Sequence, residues 1–300
     1  MEEAMRKLWG LLAGLLMALP MATALAIVPP GDRDTQLDRW AERPEARVDY
    51  VTTDAPLNWS KLRVRSWRQP KPAPHVLLLH GATLQQLLKA GHVAPWGIND
   101  DPHALFYSMG FNVFELSRRG YEGSEGTPSE VAWQGRQFPD DDSAMRALLT
   151  DAAKDVKPVL AWLRTQPDVL PQGVILGHSF GGLLALHVSA AAPEIRAVVD
   201  VAGGYSSVGL AEPSKSATYA ESAILDLTAT RTPALLVYSP GDTLVPVALG
   251  HALAARSPAT RQLVTPKTLE GRDPHSALIF GYNLGFWQDD LYAFLAKQLP

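Results

Sequence analysis

The stretch VILGHSFGGLLALHVSAAA, residues 174–192, contains the pattern that decides the fold. Three apolar residues lead into GHSFGG at 177–182, and a run of apolar residues typical of a buried helix follows. A serine between glycines, where a strand changes into a helix, is typical of a sharp turn that exposes its hydroxyl above the edge of a sheet. Gly177 and Gly181 are expected there because a side chain at either position would collide with the neighbouring strand or helix. We interpret Ser179 as a nucleophile; a serine that only caps the helix is the alternative.

Short apolar runs separated by helical stretches continue on both sides of this turn. Continuous apolar runs of this length are typical of strands that are covered on both faces, as in a parallel sheet. Two earlier segments alternate in side-chain character and predict an antiparallel pair that opens the sheet. The alternating pair is RVDYVTT (47–53) and LRVRSW (62–67), and the later strands are HVLLL (75–79), NVFEL (112–116), VIL (174–176), AVVDV (197–201), ALLVY (234–238) and RQLVT (261–265).

Helical periodicity fills the segments between these runs. LLTDAAKDVKPVLAWL (148–163) places apolar residues at helical spacing, and YNLGFWQDDLYAFLAKQL (282–299) closes the chain with a last amphipathic helix. The sequence therefore predicts an α/β protein with a mostly parallel, twisted sheet of about eight strands flanked by helices.

A nucleophilic serine needs a base and an acid that orients the base. In strand-turn-helix enzymes of this kind both follow the serine along the chain. Asp242 stands in SPGDTLVP, directly after a predicted strand, and His275 stands 33 residues later in a loop before the last helix. We interpret these residues as the acid and the base of Ser179. Asp242 as an ordinary turn aspartate is the alternative, with Asp200 as the reserve acid.

Other histidines and aspartates of the sequence are expected to have roles outside the predicted set of Ser179, Asp242 and His275. His251 lies in an evident helix and is expected to pack or to face solvent, and Asp273 is expected to serve the local turn. Acyl transfer also needs two N–H donors for the oxyanion. The backbone N–H of Phe180 is predicted as one donor and that of Ala82, in LLLHGAT, as the other. His80 is then expected to hold this loop rather than to act as a base.

Composition excludes several classes of function. The 300 residues are 46% hydrophobic and 19% charged with a net charge of -4, which provides no basic stripe for nucleic acid. The absence of cysteine excludes disulfides, metal-thiolate sites, a thiol nucleophile and a lipid-modified cysteine. No ordered set of metal ligands is found, so we expect neither metal nor cofactor. A small molecule is the expected partner, and the oligomeric state is left open.

The first 26 residues have the layout of a secretory signal: two basic residues, an apolar run and a small-residue motif ending at Ala26. We expect cleavage after Ala26, export to a bacterial periplasm or beyond, and no stable membrane association afterwards. An uncleaved anchor is the alternative, because Leu8 to Ala26 carries no charge. The predicted divisions are a signal peptide (1–26), a polar leader (27–44) and a catalytic domain (45–300).

Five motifs together carry a resemblance to a known family. By the order and spacing of these motifs, over about residues 45 to 300, the chain resembles the α/β-hydrolase superfamily, and within it the serine esterases and dienelactone-hydrolase-like enzymes. Dienelactone hydrolases proper use a cysteine nucleophile, and this chain has none. The motifs are LLLHGA (77–82), SRRGYEGSEG (117–126), VILGHSFGG (174–182), SPGDTLVP (239–246) and DPHSALIF (273–280).

The resemblance implies a serine hydrolase that cleaves carboxylic esters through an acyl-serine intermediate, and the N-terminal segment adds the expectation that it is exported. Two alternatives stay open from the sequence. A serine peptidase or amidase would use the same residues, and a non-catalytic binding protein could retain the same fold.

Candidate residues for the rim of the substrate pocket come from two sources. The segment LQQLLKAGHVAPWGIN (84–99) is longer than a usual loop and carries His92 and Trp96; a surface excursion is the alternative. His178, in the turn GHSFGG (177–182) that we call the elbow, and Tyr121, in the SRRGYEGSEG motif, complete the predicted rim.

The chain between the sixth and seventh predicted strands is short. Residues 203–231 suffice for a helical flap but not for a large lid domain. This favours a soluble substrate of modest size over emulsified lipid.

Overall fold

The computed structural model describes residues 27–53, 60–82, 101–132, 136–205, 220–267, 274–279 and 281–299. In this part of the chain, strands form one sheet and helices cover both of its faces. The strands are β1 (Arg47–Thr52), β2 (Lys61–Trp67), β3 (Ala73–Leu79), β4 (Asn112–Leu116), β5 (Val169–His178), β6 (Ile195–Val201), β7 (Ala234–Val237) and β8 (Arg261–Val264). The helices are α1 (Arg33–Ala41), α2 (Asp101–Ser108), α3 (Ser129–Ala132), α4 (Asp141–Leu163), α5 (Phe180–Ser189), α6 (Glu221–Leu227), α7 (Val247–Arg256), α8 (Pro274–Ala277), α9 (Gly281–Leu284) and α10 (Gln288–Gln298).

The sheet has eight strands in the order β1-β2-β4-β3-β5-β6-β7-β8. β2 is antiparallel to both β1 and β4, and every later pairing is parallel. This confirms the predicted α/β fold and its mostly parallel sheet with an antiparallel opening pair.

The strand order reverses at β3. The chain leaves β3 toward β4 on one side, and later returns to place β5 on the other side, with Leu79 paired with Gly177. In open α/β sheets, ligands bind at the carboxyl ends of the strands where the order reverses. The turn at Ser179 and the loop that begins at His80 both follow these two strand ends.

Helices on both faces bury the centre of the sheet. Every residue of β3 and of β4 is buried, which explains their continuous apolar runs. On one face, α4 packs the apolar stripe that its periodicity predicts, including Leu148, Ala152 and Val156, against Ile175 and its neighbours. The opposite face is covered by α2 and α10.

A helix lies within the residues interpreted as a polar leader. α1 begins after Asp32, whose carboxylate accepts the N–H of Thr35 at 2.8 Å. Trp40 is buried against Trp67, with ring centroids 5.2 Å apart. The sequence pattern does not predict this helix because it buries only Gln36 and Trp40, which is too narrow a stripe to produce a periodic signal.

Candidate active site

Ser179 occupies the turn between β5 and α5 with φ 56° and ψ -127°. A positive φ is unfavourable for a residue with a side chain, so the surrounding structure has to hold it. The Ser179 N–H donates to the Val201 carbonyl at 2.9 Å, and the Ser179 carbonyl accepts the N–H groups of Gly182 and Gly204 at 2.9 and 3.2 Å. Three backbone hydrogen bonds therefore maintain the turn.

The glycines of the elbow allow its close packing. A methyl group on Gly177 would lie 2.0 Å from the Gly181 carbonyl oxygen, and one on Gly181 would lie 2.1 Å from the carbonyl oxygen of Leu79. Both contacts are with backbone, which cannot move aside as a flexible side chain can. The start of α5 is consequently held against the end of β3.

Ser179, His275 and Asp242 form a hydrogen-bonded chain. His275 Nε2 lies 3.0 Å from Ser179 Oγ, and His275 Nδ1 lies 2.8 Å from Asp242 Oδ2. An ionised carboxylate only accepts hydrogen bonds, so Nδ1 carries the proton and Nε2 is free to accept from the serine hydroxyl. The structure thus brings together three side chains that are 33 to 96 residues apart along the chain.

Asp242 follows β7 and is held by its own turn. Its second oxygen, Oδ1, accepts the N–H groups of Leu244 and Val245, each at 2.8 Å. This leaves Oδ2 directed at His275. The sequence offered two alternatives for Asp242, an ordinary turn aspartate and the acid that orients His275. Its side chain has both roles, with one oxygen bound to the turn and the other to His275.

His178 differs from the expectation that it belongs to the pocket rim. Its side chain is buried, and its Nε2–H donates to the His275 carbonyl at 2.9 Å, with the two ring centroids 5.0 Å apart. The residue holds the main chain of His275, because strand alternation directs its side chain away from that of Ser179.

The two predicted oxyanion donors belong to segments that adjoin Ser179. Phe180 begins α5, where backbone N–H groups have no partner within the helix and the helix dipole favours negative charge. Ala82 follows Gly81, and a methyl group on Gly81 would lie 2.9 Å from Ser179 Cβ. The loop after β3 therefore runs directly beside the nucleophile.

His80 holds this loop as a neutral imidazole. Its Nδ1–H donates to the Gly81 carbonyl at 2.7 Å, and its Nε2 accepts the N–H of Arg118 at 3.2 Å. Burial, together with the nearby charge of Arg118, lowers the pKa of His80 well below its ordinary value. A ring that uses one nitrogen as donor and the other as acceptor has no role as the catalytic base.

Tyr121 also differs from its predicted place at the rim. It is 1% exposed, and its ring lies 4.2 Å from that of His80. Beside it, Arg118 and Glu130 form a buried ion pair at 2.6 Å. Sequence reasoning missed both partners of that pair. The one signal was the double arginine of the SRRGYEGSEG motif, which does not show which charge turns inward.

The reserve acid, Asp200, lies away from the histidine. It is fully buried behind the elbow, and its Oδ2 lies 2.8 Å from the hydroxyl of Tyr238. Burial raises the pKa of Asp200 to about 7. Asp200 is thus excluded as the acid hydrogen-bonded to His275, which is Asp242.

Several predicted residues lie outside the described part of the chain. These are the rim candidates His92 and Trp96, the turn residue Asp273 and much of the flap, of which residues 220–231 are described and contain α6. His251 is described, and it is exposed on α7. Within the described ranges, no group of three or more acidic or histidine side chains is arranged to hold a metal ion, and no helix is long and apolar enough to cross a membrane.

Two surface cavities lie far from the triad. They measure about 300 and 480 Å³ and share Val28, Gln69, Pro70 and Gly110 among their lining residues. Gln69 and Pro70 precede β3, so these cavities open at the amino-terminal end of that strand, whereas Ser179 follows the carboxyl end of β5. Neither cavity is a candidate for the substrate site.

Comparison with known proteins identifies the same architecture. A family model described as the alpha/beta hydrolase fold matches residues 74–220. An esterase of Pyrococcus furiosus, Pf2001, is similar in structure with a TM-score of 0.63 and 17% identity, covering 91% of this chain and 99% of its own. Est1E from Butyrivibrio proteoclasticus, solved with ferulic acid bound, has a TM-score of 0.57 and 16% identity, covering 83% and 98%. Curated proteins yield no significant sequence match.

Proposed function

This chain belongs to the α/β-hydrolase superfamily, and from that premise we propose that it is a serine hydrolase that cleaves carboxylic esters through an acyl-serine intermediate. The observation that carries the proposal is the hydrogen-bonded chain from Ser179 Oγ to His275 Nε2, at 3.0 Å, and from His275 Nδ1 to Asp242 Oδ2, at 2.8 Å. This is the arrangement that activates a serine hydroxyl.

In the first half of the reaction, Ser179 Oγ attacks the ester carbonyl carbon while His275 Nε2 takes its proton. Asp242 stabilises the imidazolium that forms. The carbonyl oxygen becomes an oxyanion and is bound by the N–H groups of Phe180 and Ala82. His275 then gives its proton to the departing alcohol as the carbon–oxygen bond breaks, and the acyl group stays on Ser179.

In the second half, a water molecule takes the place of the alcohol. His275 accepts a proton from this water as its oxygen attacks the acyl carbon, and the same two N–H groups bind the second oxyanion. When the bond to Ser179 breaks, the proton passes from His275 to the serine oxygen. The carboxylic acid leaves and the starting state is restored.

An ester is the preferred substrate over an amide because of one structural neighbour. That neighbour, Pf2001, is described as an esterase. Separately from this choice, the chain between β6 and β7 is too short for a large lid domain, which favours a soluble substrate of modest size over emulsified lipid. Cleavage of an amide or peptide by the same residues is the alternative outcome of the experiment below.

We also propose that the chain is exported and cleaved after Ala26. The described contacts are compatible with this position, since Ile27 is buried and the Val28 N–H donates to the Met109 carbonyl at 3.1 Å, both downstream of the cut. Mass spectrometry of the protein recovered from its producing cell is expected to show Ile27 as the first residue. Residues 1–26 found intact in a membrane fraction would instead indicate an anchor.

The decisive experiment measures the turnover of p-nitrophenyl esters of increasing acyl length by the chain from Ile27 onward. Short acyl groups are expected to turn over fastest, and Ser179→Ala is expected to lose kcat by about 10⁴-fold or more. Ser189→Ala is the matched control, because it removes a buried hydroxyl from the same helix, α5, away from the triad. This control is expected to keep the activity of the unsubstituted protein.

Labelling by a fluorophosphonate separates the remaining outcomes. A folded protein that is labelled at Ser179 but hydrolyses no ester would move the substrate to amides or peptides, which aryl amide assays would then test. A folded protein that is never labelled would contradict the proposal and favour a non-catalytic binding role.

A further inference from the structure

The Gly81 carbonyl accepts hydrogen bonds from two side chains. His80 Nδ1–H donates to it at 2.7 Å, and Arg118 Nη2–H donates to it at 3.1 Å. This carbonyl belongs to the peptide unit whose N–H is that of Ala82. The unit is planar and trans, so its C=O and N–H point in opposite directions. Groups that hold the Gly81 oxygen therefore fix the direction of the Ala82 N–H.

Arg118 contacts the other side of the oxyanion hole as well. Its guanidinium carbon lies 5.0 Å from the centre of the Phe180 ring, and Phe180 supplies the second predicted donor. One side chain thus contacts both segments that carry the oxyanion donors. It is the described side chain best placed to set their spacing.

Arg118 is itself held in a fixed position. Glu130 Oε1 lies 2.6 Å from its Nη2 and also accepts the hydroxyl of Tyr121 at 3.3 Å, while the Tyr121 ring lies 4.9 Å from the guanidinium. Arg118, Tyr121 and Glu130 are each at most 2% exposed. Burying an ion pair costs desolvation energy that the mutual attraction often does not recover, so its presence calls for a reason other than stability.

We propose that Arg118, held by Glu130, is a positioning residue that fixes the Ala82 N–H and Phe180 relative to each other and so maintains the oxyanion hole. This rests on the proposed acyl-transfer function. The positive charge beside the Gly81 oxygen also polarises the peptide unit, which strengthens its N–H as a donor. Arg118 does not touch the substrate in this role and acts through the two backbone donors.

The neighbouring Arg119 provides a comparison. It is also inside the protein, and its guanidinium pairs with Asp155 and Asp151 on α4. Its guanidinium also donates to the Ser129 hydroxyl on α3 at 3.2 Å, and none of these partners lies on the loop that carries Gly81 and Ala82. Two adjacent arginines therefore have separable roles, one toward α4 and one toward the oxyanion donors.

The test compares two double variants that each remove a buried arginine together with an acid paired to it. Asp151, the second partner of Arg119, keeps its ion pair with Lys154 at 2.9 Å. Arg118→Met/Glu130→Gln is expected to lower kcat for a short p-nitrophenyl ester by about 10- to 100-fold, less than the loss of a whole oxyanion donor. KM is expected to stay within about twofold, since the hole acts in the transition state. The pH midpoint of kcat/KM is expected to be unchanged, because the contacts of His275 with Ser179 and Asp242 are intact.

Arg119→Met/Asp155→Asn is the matched control. It is expected to lower stability but to leave kcat of the folded protein within about twofold. Arg118→Lys covers the case in which the first double variant does not fold. A lysine keeps a charge beside Glu130, but it lacks the planar guanidinium that places Nη2 on both Glu130 and Gly81 while lying against the Phe180 ring. A lower kcat at unchanged KM is therefore again expected.

The proposal is overturned if a folded Arg118 variant keeps kcat within twofold, or if the Arg119 control loses kcat to the same degree. If the unsubstituted protein hydrolyses no ester, the proposed function fails separately. The same variants are then compared by their rates of labelling with a fluorophosphonate, whose phosphoryl oxygen occupies the oxyanion hole; equal rates would overturn the positioning role. If Ser179 is never labelled in the unsubstituted protein, both proposals are overturned.

Discussion

At Ser179 the backbone adopts a conformation that few residues with a side chain tolerate, and three backbone hydrogen bonds hold it there. The side chains around it are held in the same way. Asp242 is bound by two N–H groups of its own turn, and His275 by Asp242 through its ring and by His178 through its carbonyl. Such fixed partners are what catalysis by preorganised groups requires.

A prediction at this scale concerns the two buried aspartates. Asp242→Asn is expected to lower kcat by about 10⁴-fold with little change in KM, because an amide at this position favours the wrong tautomer of His275. Asp200→Asn is the matched control, since Asp200 bonds to Tyr238 and not to His275. Steady-state kinetics on a p-nitrophenyl ester measure both. Equal losses in the two variants would contradict the assignment of Asp242.

The elements that carry the site are two strand ends and the start of one helix. β3 supplies the loop with Ala82, β5 supplies Ser179, and α5 directs its N-terminus at the same point. Gly181 permits this approach, since any side chain there would meet the backbone of β3. The separation of these elements sets the distance between the two proposed oxyanion donors, and the proposed role of Arg118 is to hold that distance.

Gly181→Ala is therefore expected to destabilise the protein by about 2 to 3 kcal/mol, since β3 and α5 must separate to admit the methyl group. It is also expected to lower kcat in the folded fraction. Gly110→Ala is the control: its φ is +92°, and no atom lies within 4 Å of the added methyl group, so strain alone of about 1 to 2 kcal/mol is expected. Urea unfolding midpoints measure the difference, and equal costs would contradict the close contact.

Across the whole molecule, buried acids make stability depend on pH in opposite directions. Burial by itself would raise the pKa of Glu115. The hydrogen bond from His103 and the charges of His103 and Arg65 outweigh this effect and lower the pKa from 4.5 to about 2. Burial raises the pKa of Asp200 from 3.8 to about 7 and that of Asp155 to about 6. A group whose pKa is lowered in the folded state stabilises the fold at pH values above its pKa in the unfolded chain. A group whose pKa is raised in the folded state destabilises the fold at pH values where it would be ionised in the unfolded chain.

The sign for Asp200 gives a specific expectation. Its folded form binds a proton more tightly than its unfolded form, so its contribution to the free energy of unfolding falls from about pH 4 to about pH 7 and is constant beyond. Asp200→Asn removes this dependence, and the amide oxygen can still accept from the Tyr238 hydroxyl. Urea unfolding at several pH values is expected to show that the free energy of unfolding of the variant rises relative to that of the unsubstituted protein as pH increases through this range. A constant difference between them would contradict the raised pKa.

Local pattern was sufficient for the architecture, since buried parallel strands produce apolar runs and amphipathic helices produce periodic ones. The pattern did not predict elements whose side chains are only partly buried. β5 starts at Val169, five residues before the apolar run VIL, because its first residues are half exposed, and α1 went unpredicted because it buries few side chains. The segments 84–99 and 206–219, which contain the predicted rim residues and much of the predicted flap, are outside the described part of the chain. The rim and the flap therefore stay predictions.

The sequence by itself determined the α/β order of elements, the glycine-bounded turn at Ser179 and the chain order in which Asp242 and His275 follow it. These are properties of neighbouring residues, so they can be read from spacing and composition. Only the tertiary structure decided that Asp200 turns away from His275, that His178 and Tyr121 are buried supports, and that Arg118, paired with Glu130, donates to the Gly81 carbonyl. Those outcomes depend on which strand ends meet where the sheet reverses, and therefore on contacts between residues far apart in the chain.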